Sequence, residues 1–448
     1  PTDRATPPGK QVYMDTQVPA AAVSLGALLR WVWLCVFPCY DTPDFKRGRA
    51  IREAHSFSRK GAAPWLSRAC QSSHHRCCWL CCAMVGPVLA MLASALYLFY
   101  TKYLPMVSVP HPPLYDTDGN KIDAHGGQII RHEGAFYWYG ESRKGLSAMG
   151  YPVGVNEGWT NEGVNCYRSS DMLAWEFAGM VFRNTSVALG ADQPGPYVIE
   201  RPKVVYNAAT STFVLWMHLD SFSYTYRYAG VATSPSPVGP FEWKHALHPN
   251  GHESFDLQIW REPGTEDAYL LRDTDGHAWT MVSRLTADYT GVEEEVSSRL
   301  KGPCEGIALF KDLPGDGLHY LVCSYATWYY PNAMQLHRKA GGLAGGEWEF
   351  LGDIGDGLYS RLSYNSQPTF VLPLRNATSG ELVPVYMGDN WNANGPGGVG
   401  NASYLWLPFE RCAEESCWWD WRPWRLPWQE AWMPRQVKRG ADMTDWLY

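Results

Sequence analysis

Short stretches of alternating apolar and polar residues dominate the chain after about residue 115, and Gly, Asp, Asn and Pro residues separate them. Alternation with a period of two is typical of half-buried β-strands, and the residues between the stretches are those that form turns. Helical periodicity is largely absent from this part of the chain. The pattern therefore predicts an all-β domain over residues 119–425.

The alternating stretches recur as five units. Each unit begins with a strand, a short polar turn and an aromatic-rich second strand, as in GGQIIRHEGAFYWYGES, RPKVVYNAATSTFVLWMH and LQIWREPGTEDAYLLRD. An outer pair of similar composition follows, from NCYRSSDMLAWEFAG in the first unit to SYLWLPFE in the fifth. Five units of four strands predict a five-bladed β-propeller. Two β-sandwich domains would explain the density of strands but not the fivefold recurrence.

An uncharged segment precedes the repeats. The 25 residues at 77–101 carry no charged side chain, and about 20 apolar residues suffice to cross a bilayer as a helix. Basic residues are frequent before this segment, whereas Lys102 alone follows it closely. The asymmetry predicts a single-pass type II membrane protein whose propeller lies in the Golgi lumen or outside the cell. The predicted parts are a disordered cytosolic region at 1–76, a signal anchor at 77–101, a linker at 102–118, the propeller at 119–425 and a tail at 426–448.

Two further features fit a lumenal domain. Glycosylation sequons lie after the predicted anchor at Asn184, Asn376 and Asn401. In an oxidising compartment two disulfides can form among the later cysteines, Cys304 with Cys323 and Cys412 with Cys417, which leaves Cys166 over.

Charge and aromatic content narrow the class of partner. The formal net charge is -7, with 45 acidic against 38 basic residues, which argues against a nucleic-acid partner. The 22 tryptophans are typical of proteins that stack on the apolar face of a sugar, although a β-rich core also uses such residues. No Cys/His spacing indicates a zinc site.

Polar residues at the starts of the innermost strands should meet at one mouth of the propeller channel. Units two to five begin with Glu200, Asp256, Glu305 and Gln367, and the first unit offers Asp123, His125 and Gln128. A turn residue explains any single acidic position, but three equivalent positions favour a site. Cleavage of a glycosidic bond needs an acid and a means of delivering water. Glu305 as the acid, with Asp256 raising its pKa, meets the first requirement.

Several motifs, in order, resemble one enzyme family. The stretches AHGGQII, FYWYGE, ERPKVVYN, DLQIW, EGIALFK, NSQPTFV and YMGDNW are similar to those of family 43 glycoside hydrolases, and of their exo-β-1,3-galactanase subgroup in particular. The resemblance covers roughly residues 115–425. It implies an inverting, exo-acting hydrolase that releases galactose from β-1,3-galactan, as in arabinogalactan-type glycans.

The resemblance also implies a role for each residue. Glu305 matches the general acid, Asp256 the residue that tunes it, and Gln367 a glutamine that holds the catalytic water. The residues implied at or near the sugar pocket are Glu200, Glu141, Tyr139, Trp391, Asp389 and His125. Asp123 is the fallback base, because the first unit lacks the base that most of the family places there. No cofactor and no metal are expected, although a structural calcium on the propeller axis stays open.

The sequence departs from the family at two motifs. Cys304 precedes the acid, and Phe255 precedes Asp256 where the family usually has Arg. Two alternatives therefore stay open: a propeller that binds glycans without cleaving them, and an arabinofuranosidase or xylosidase of the same family.

Overall fold

A computed structural model describes residues 114–143, 161–313, 315–355, 360–376, 380–393, 398–412 and 422–429. The predicted cytosolic region and signal anchor lie outside these residues. Within the described ranges, no helix is long and apolar enough to cross a membrane.

The described strands form antiparallel sheets that follow one another along the chain. Blade one contains β1 (His125–His132), β2 (Ala135–Glu141), β3 (Gly163–Ser169) and β4 (Glu176–Arg183). Blade two contains β5 (Val198–Asn207), β6 (Thr212–Asp220), β7 (Tyr228–Ser234) and β8 (Glu242–Leu247). Blade three contains β9 (Leu257–Arg261), β10 (Ala268–Thr274), β11 (Trp279–Leu285) and β12 (Val292–Lys301). Blade four contains β13 (Glu305–Lys311), β14 (His319–Ser324), β15 (Met334–Lys339) and β16 (Glu349–Asp353). Blade five contains β17 (Gln367–Arg375), β18 (Leu382–Asn390) and β19 (Ser403–Pro408).

Short elements complete the described structure. A two-stranded ribbon pairs β20 (Glu410–Arg411) with β21 (Trp424–Arg425). The 3-10 helices are Asn184–Ser186, Pro249–Gly251, Ser360–Asn365 and Gly398–Asn401. The innermost strands β1, β5, β9, β13 and β17 lie next to one another in a closed ring. The predicted five-bladed propeller is therefore confirmed.

The fifth blade differs from the predicted pattern of four strands. Three of its strands lie within the described residues. After β19, Trp424 and Leu426 are buried between blades four and five, in one cluster with Phe310 and Phe409. These two residues thus fill the wedge between the two blades.

Alternation along each strand sends side chains into two different interfaces. In β6, Phe213, Leu215 and Met217 pack against blade one, whereas Val214 and Trp216 pack against blade three. Each apolar cluster of this kind lies between two neighbouring blades. A central strand of a propeller blade is therefore apolar on both faces, which explains why FVLWM lacks polar residues.

The innermost strands are also joined by polar contacts. The Lys203 ammonium on β5 is fully buried and donates to the carbonyl of Gly126 on β1, at 2.7 Å. Thr369 on β17 donates to the carbonyl of Gly127, at 2.9 Å. Burial, with Arg201 nearby, lowers the pKa of Lys203 to about 7. The sequence left calcium open for this central region and did not indicate the buried lysine there.

One predicted disulfide is present and one sequon is inaccessible. Cys304 is bonded to Cys323, and Cys166 is a free, buried thiol. Cys417 lies outside the described residues. Asn184 is buried, and its amide nitrogen donates to the carbonyls of Asn161 and Tyr197. The prediction of a glycan on Asn184 therefore conflicts with the folded domain, while those for Asn376 and Asn401 stay predictions.

Candidate active site

The ladders of four innermost strands are interrupted at their first residues. Register shifts follow His125 in β1, Glu200 in β5, Glu305 in β13 and Pro368 in β17. In the first three, the next residue has a positive φ: +61° at Gly126, +50° at Arg201 and +63° at Gly306. A bulge bends a strand and re-aims its side chains. The bulge in β5 allows the consecutive residues Glu200 and Arg201 to face the same group of polar residues at the starts of the innermost strands.

The buried Arg201 guanidinium joins three blades. Its Nη2 donates to Gln367 Oε1 at 2.6 Å and lies 2.9 Å from Asp256 Oδ2. Its Nη1 donates to the carbonyl of Pro368 at 3.2 Å. Burial opposes the charged form, but Asp256 and other nearby carboxylates raise the pKa of Arg201 above its usual value. The side chain therefore stays cationic and fixes both partners.

Asp256 and Glu305 are neighbours in opposite electrostatic environments. Burial would raise the pKa of Asp256, but Arg201 and the backbone N–H of Gly306 hold it below its usual range. Burial raises the pKa of Glu305 to about 8, and the negative charge of Asp256 adds to this effect. His277, hydrogen-bonded to Asp273, opposes the rise. At neutral pH, Asp256 is thus ionised and Glu305 largely protonated.

The amide orientation of Gln367 is set by its neighbours. Oε1 accepts hydrogen bonds from Arg201 and from Trp391 Nε1, the latter at 2.7 Å. Nε2 therefore faces Glu305 Oε2 at 3.3 Å and Ser324 Oγ at 3.2 Å. Two donors on Oε1 leave only one orientation compatible with the hydrogen-bond network.

Glu200 is surrounded by donors. His218 Nδ1 lies 3.1 Å from Glu200 Oε2, and the hydroxyls of Tyr224 and Tyr329 donate to Oε1 at 3.2 and 3.3 Å. Burial opposes protonation of His218, but hydrogen bonds to Asp220 and Glu200 raise its pKa to about 10. Since His218 is cationic, both ring nitrogens donate, and Glu200 is held as an acceptor at the mouth.

Glu141 lies behind this surface. Its carboxylate accepts a hydrogen bond from Arg143 at 2.7 Å, and burial raises its pKa to about 8 although Arg143 opposes the shift. Trp391 packs with its ring 4.7 Å from the Arg143 guanidinium carbon and 5.6 Å from that of Arg201. Glu141 and Trp391 are both buried. Both side chains therefore pack inside the domain, where each contacts Arg143.

His125 and Asp389 fasten blade one to blade five. His125 Nδ1 lies 3.0 Å from Asp389 Oδ1, and the N–H of Gly126 donates to Oδ2 at 2.9 Å. The His125 ring also stacks on Tyr404, with centroids 4.6 Å apart. Glycine is required at position 127, where a β-carbon would overlap the carbonyl oxygen of Tyr139, and is favoured at 126 by its φ of +61°. The His-Gly-Gly sequence at the start of β1 therefore lets blade one pack against blade five next to the site.

The predicted fallback base, Asp123, caps a turn. It accepts hydrogen bonds from Ser142 Oγ and from the N–H of Arg143, both at 2.7 Å. It lines a cavity of about 640 Å³ together with Asn165 and Phe177, among others, whereas Glu305 is not part of that lining. These contacts give Asp123 a structural role at the edge of blade one.

Tyr139, predicted at or near the sugar pocket, lies in the apolar core in the structure. Its side chain is 0 % exposed, lies in the cluster between blades one and two, and donates its hydroxyl to the carbonyl of Pro237 at 2.6 Å. Tyr139 is two residues further from the strand end than Glu141. That separation, about 7 Å along a strand, moves the ring from the mouth into the core.

Five site residues were not predicted: Arg143, Arg201, His218, Tyr224 and Tyr329. Arg201 follows Glu200 directly, but simple alternation would point the two to opposite faces, so the bulge had to be known. Among the described residues, no group of three or more His, Cys, Asp or Glu side chains is arranged to hold a metal ion.

Of the comparisons with known proteins, the one with solved structures gives matches. No protein-family model and no curated protein matches the chain. Among solved structures, the exo-β-1,3-galactanase of Phanerochaete chrysosporium, as a Glu-to-Gln variant with β-1,3-galactotriose, is 31% identical with a TM-score of 0.57, over 66% of this chain and 63% of that one. The exo-β-1,3-galactanase of Clostridium thermocellum is 30% identical with a TM-score of 0.58, over 71% and 65%.

A third structure matches over nearly its full length. A GH43 β-1,3-galactosidase with galactodeoxynojirimycin is 26% identical with a TM-score of 0.60, over 72% of this chain and 99% of that one. The chain thus spans somewhat less than two thirds of the two galactanases and almost all of the galactosidase. The resemblance of this chain to the family 43 glycoside hydrolases, and to their exo-β-1,3-galactanases in particular, is thereby confirmed.

Proposed function

We propose that the chain is an inverting glycoside hydrolase that removes terminal galactose from β-1,3-linked galactan. The observation that supports this most directly is the pair of neighbouring carboxyls with opposite protonation states. Glu305, raised in pKa to about 8, holds a proton at neutral pH for the leaving oxygen, while Asp256 is kept ionised by Arg201. Glycosidic cleavage requires such an acid.

In the proposed reaction, the bond between the anomeric carbon and the glycosidic oxygen breaks as Glu305 transfers its proton to that oxygen. Water bonds to the anomeric carbon from the opposite face, and its lost proton returns to Glu305 through solvent. Gln367 is the proposed group that places this water. Glu200, held by His218, Tyr224 and Tyr329, is the proposed acceptor for sugar hydroxyls.

Substitution of the acid tests the proposal. Glu305→Gln should lower kcat on β-1,3-galactotriose by about 10²–10⁴-fold, because general acid catalysis is worth that much. Release of galactose is the measurement, and thermal unfolding checks that the fold is intact. The matched control is Glu349→Gln, at a half-exposed carboxylate on β16 that pairs with Arg338. Wild-type turnover in Glu305→Gln would contradict the assignment. Binding without turnover in the unmutated chain would favour a glycan-binding propeller, and activity on arabinofuranosides or xylosides alone would change the substrate.

The proposed role of Gln367 in positioning water requires enough space between Gln367 and Glu305 for the water and the sugar. Inversion usually needs about 6.5–9.5 Å between the acid and base carboxyls so that a water fits, whereas Gln367 Nε2 lies 3.3 Å from Glu305 Oε2. In the proposed reaction Glu305 therefore moves away from Gln367, which Arg201 and Trp391 hold in place, when the sugar binds. Gln367→Ala should lower kcat at least tenfold with a smaller change in KM. If kcat is retained there and lost in Glu200→Gln, the role belongs to Glu200.

The pH profile should report the influence of Asp256 on the acid. The protonated form of Glu305 is lost as pH rises through its pKa, which sets the alkaline limb of kcat/KM. Burial is the larger cause of the raised pKa and persists in Asp256→Asn, but the negative charge disappears. The alkaline limb should therefore move to lower pH, by about one unit. Asp267→Asn, at an exposed ion pair with Arg284, should leave the limb in place. An unmoved limb in Asp256→Asn would rule out this coupling.

We further propose that the propeller lies on the lumenal or extracellular side of a membrane, anchored by residues 77–101. The uncharged 25-residue segment and its basic upstream flank support this, and the Cys304–Cys323 disulfide fits an oxidising compartment. Expressed in cells, the full chain should stay in the membrane pellet after carbonate extraction. Its propeller should resist added protease in sealed vesicles, while an N-terminal epitope is digested. Release by carbonate, or digestion of the propeller, would contradict the topology.

A further inference from the structure

An exposed aromatic loop lies beside the candidate acid. The loop follows β14 and carries Tyr325, Trp328 and Tyr330, of which Trp328 is 65% exposed. Tryptophan is rarely left in water to this extent. The loop is ordered by its own hydrogen bonds: the N–H of Tyr325 donates to Asn332 Oδ1 at 3.0 Å, and Thr327 Oγ1 donates to the carbonyl of Tyr330 at 2.6 Å.

The backbone of Trp328 adopts an unfavourable conformation. Its φ is +61°, in the left-handed region where a β-carbon crowds the backbone. Glycine would relieve that strain. A large side chain that is both strained and exposed contributes little to the folded state, so its presence points to a use at the surface.

The position of Trp328 relates that use to the catalytic groups. Its carbonyl accepts a hydrogen bond from Gln367 Nε2 at 3.4 Å, and the same nitrogen lies 3.3 Å from Glu305 Oε2. Its ring lies edge-on to that of Tyr224, with centroids 6.3 Å apart, and Tyr224 contacts Glu200. The indole is thus exposed to solvent beside the polar cluster that contains Glu305, Gln367 and Glu200.

We infer that Trp328 is a stacking platform for the sugar on the leaving-group side of the scissile bond, an inference that rests on the proposed function. An exo-acting enzyme takes the terminal sugar into the buried end of the pocket, so the rest of the chain passes the exposed rim. A neutral pyranose offers an apolar C–H face to an indole. The ligand is therefore the second or third galactosyl residue of a neutral β-1,3-galactan.

The test measures binding without turnover, by calorimetry on the full chain carrying Glu305→Gln. The probes are β-1,3-galactotriose, which would reach the platform, and galactose, which would fill the buried end alone. Adding Trp328→Gly should weaken triose binding about tenfold and leave galactose binding unchanged. Because glycine relieves the φ strain, Tm should stay the same or rise. The control is Phe350→Ala, an aromatic residue on β16 that is 51% exposed and packs against His337. It should not change the affinity for either sugar.

Three results would overturn the inference. Equal triose affinity with and without Trp328 would show that the indole makes no contact, and tighter binding would show that it obstructs the rim. Equal weakening of triose and galactose would show that the loop shapes the whole pocket instead. If the Glu305→Gln chain itself binds neither sugar, the β-1,3-galactan assignment fails and the platform for that sugar with it, an outcome separate from the other three.

Discussion

A buried arginine must have its charge balanced, and at Arg201 the contacts join three blades, its own and those of its partners. The residue itself is on β5 of blade two, Asp256 precedes β9 of blade three, and Gln367 and Pro368 begin β17 of blade five. Leaving such a cation without its partners costs several kcal/mol. The closure of the propeller ring and the electrostatics of the site therefore depend on the same contact. A change that loosens the packing of blades two, three and five should also disturb the candidate acid.

The same contact gives Asp256 and Glu305 different protonation states. Asp256 takes the cation and the N–H of Gly306, whereas Glu305 is left with a long contact from a neutral amide. Two groups of the same chemical type thus differ in protonation because of where the donors lie. This division is the usual way in which one site provides a proton donor and a fixed negative charge at one pH. From blade three, His277 opposes the raised pKa of Glu305, whereas the negative charge of Asp273 adds to it.

The fold and the principal carboxyl groups of the candidate site could be predicted from the sequence. The residues that hydrogen-bond to those carboxyl groups could not. Five repeats of alternating strands define a ring, and residues that open its inner strands must meet at one mouth, so Glu200, Asp256, Glu305 and Gln367 were found together. Arg201 was not predicted, because a bulge with a positive φ breaks the alternation of side chains along β5. Tyr139 was misplaced because depth along a strand is not visible in a pattern of period two. The described part of blade five has three strands instead of the predicted four, and Trp424 and Leu426, which follow them, pack between blades four and five.

The disulfide at the start of blade four has a practical consequence. Cys304 immediately precedes Glu305, and Cys323 immediately precedes Ser324, whose hydroxyl donates to the carbonyl of Glu305 and accepts from Gln367. The cross-link therefore holds together the two backbone segments that carry the acid and its neighbour. A recombinant chain made in a reducing bacterial cytosol would lack this disulfide next to Glu305. A lack of activity in material from such a host could therefore result from the missing disulfide, and would not show that the native protein is inactive.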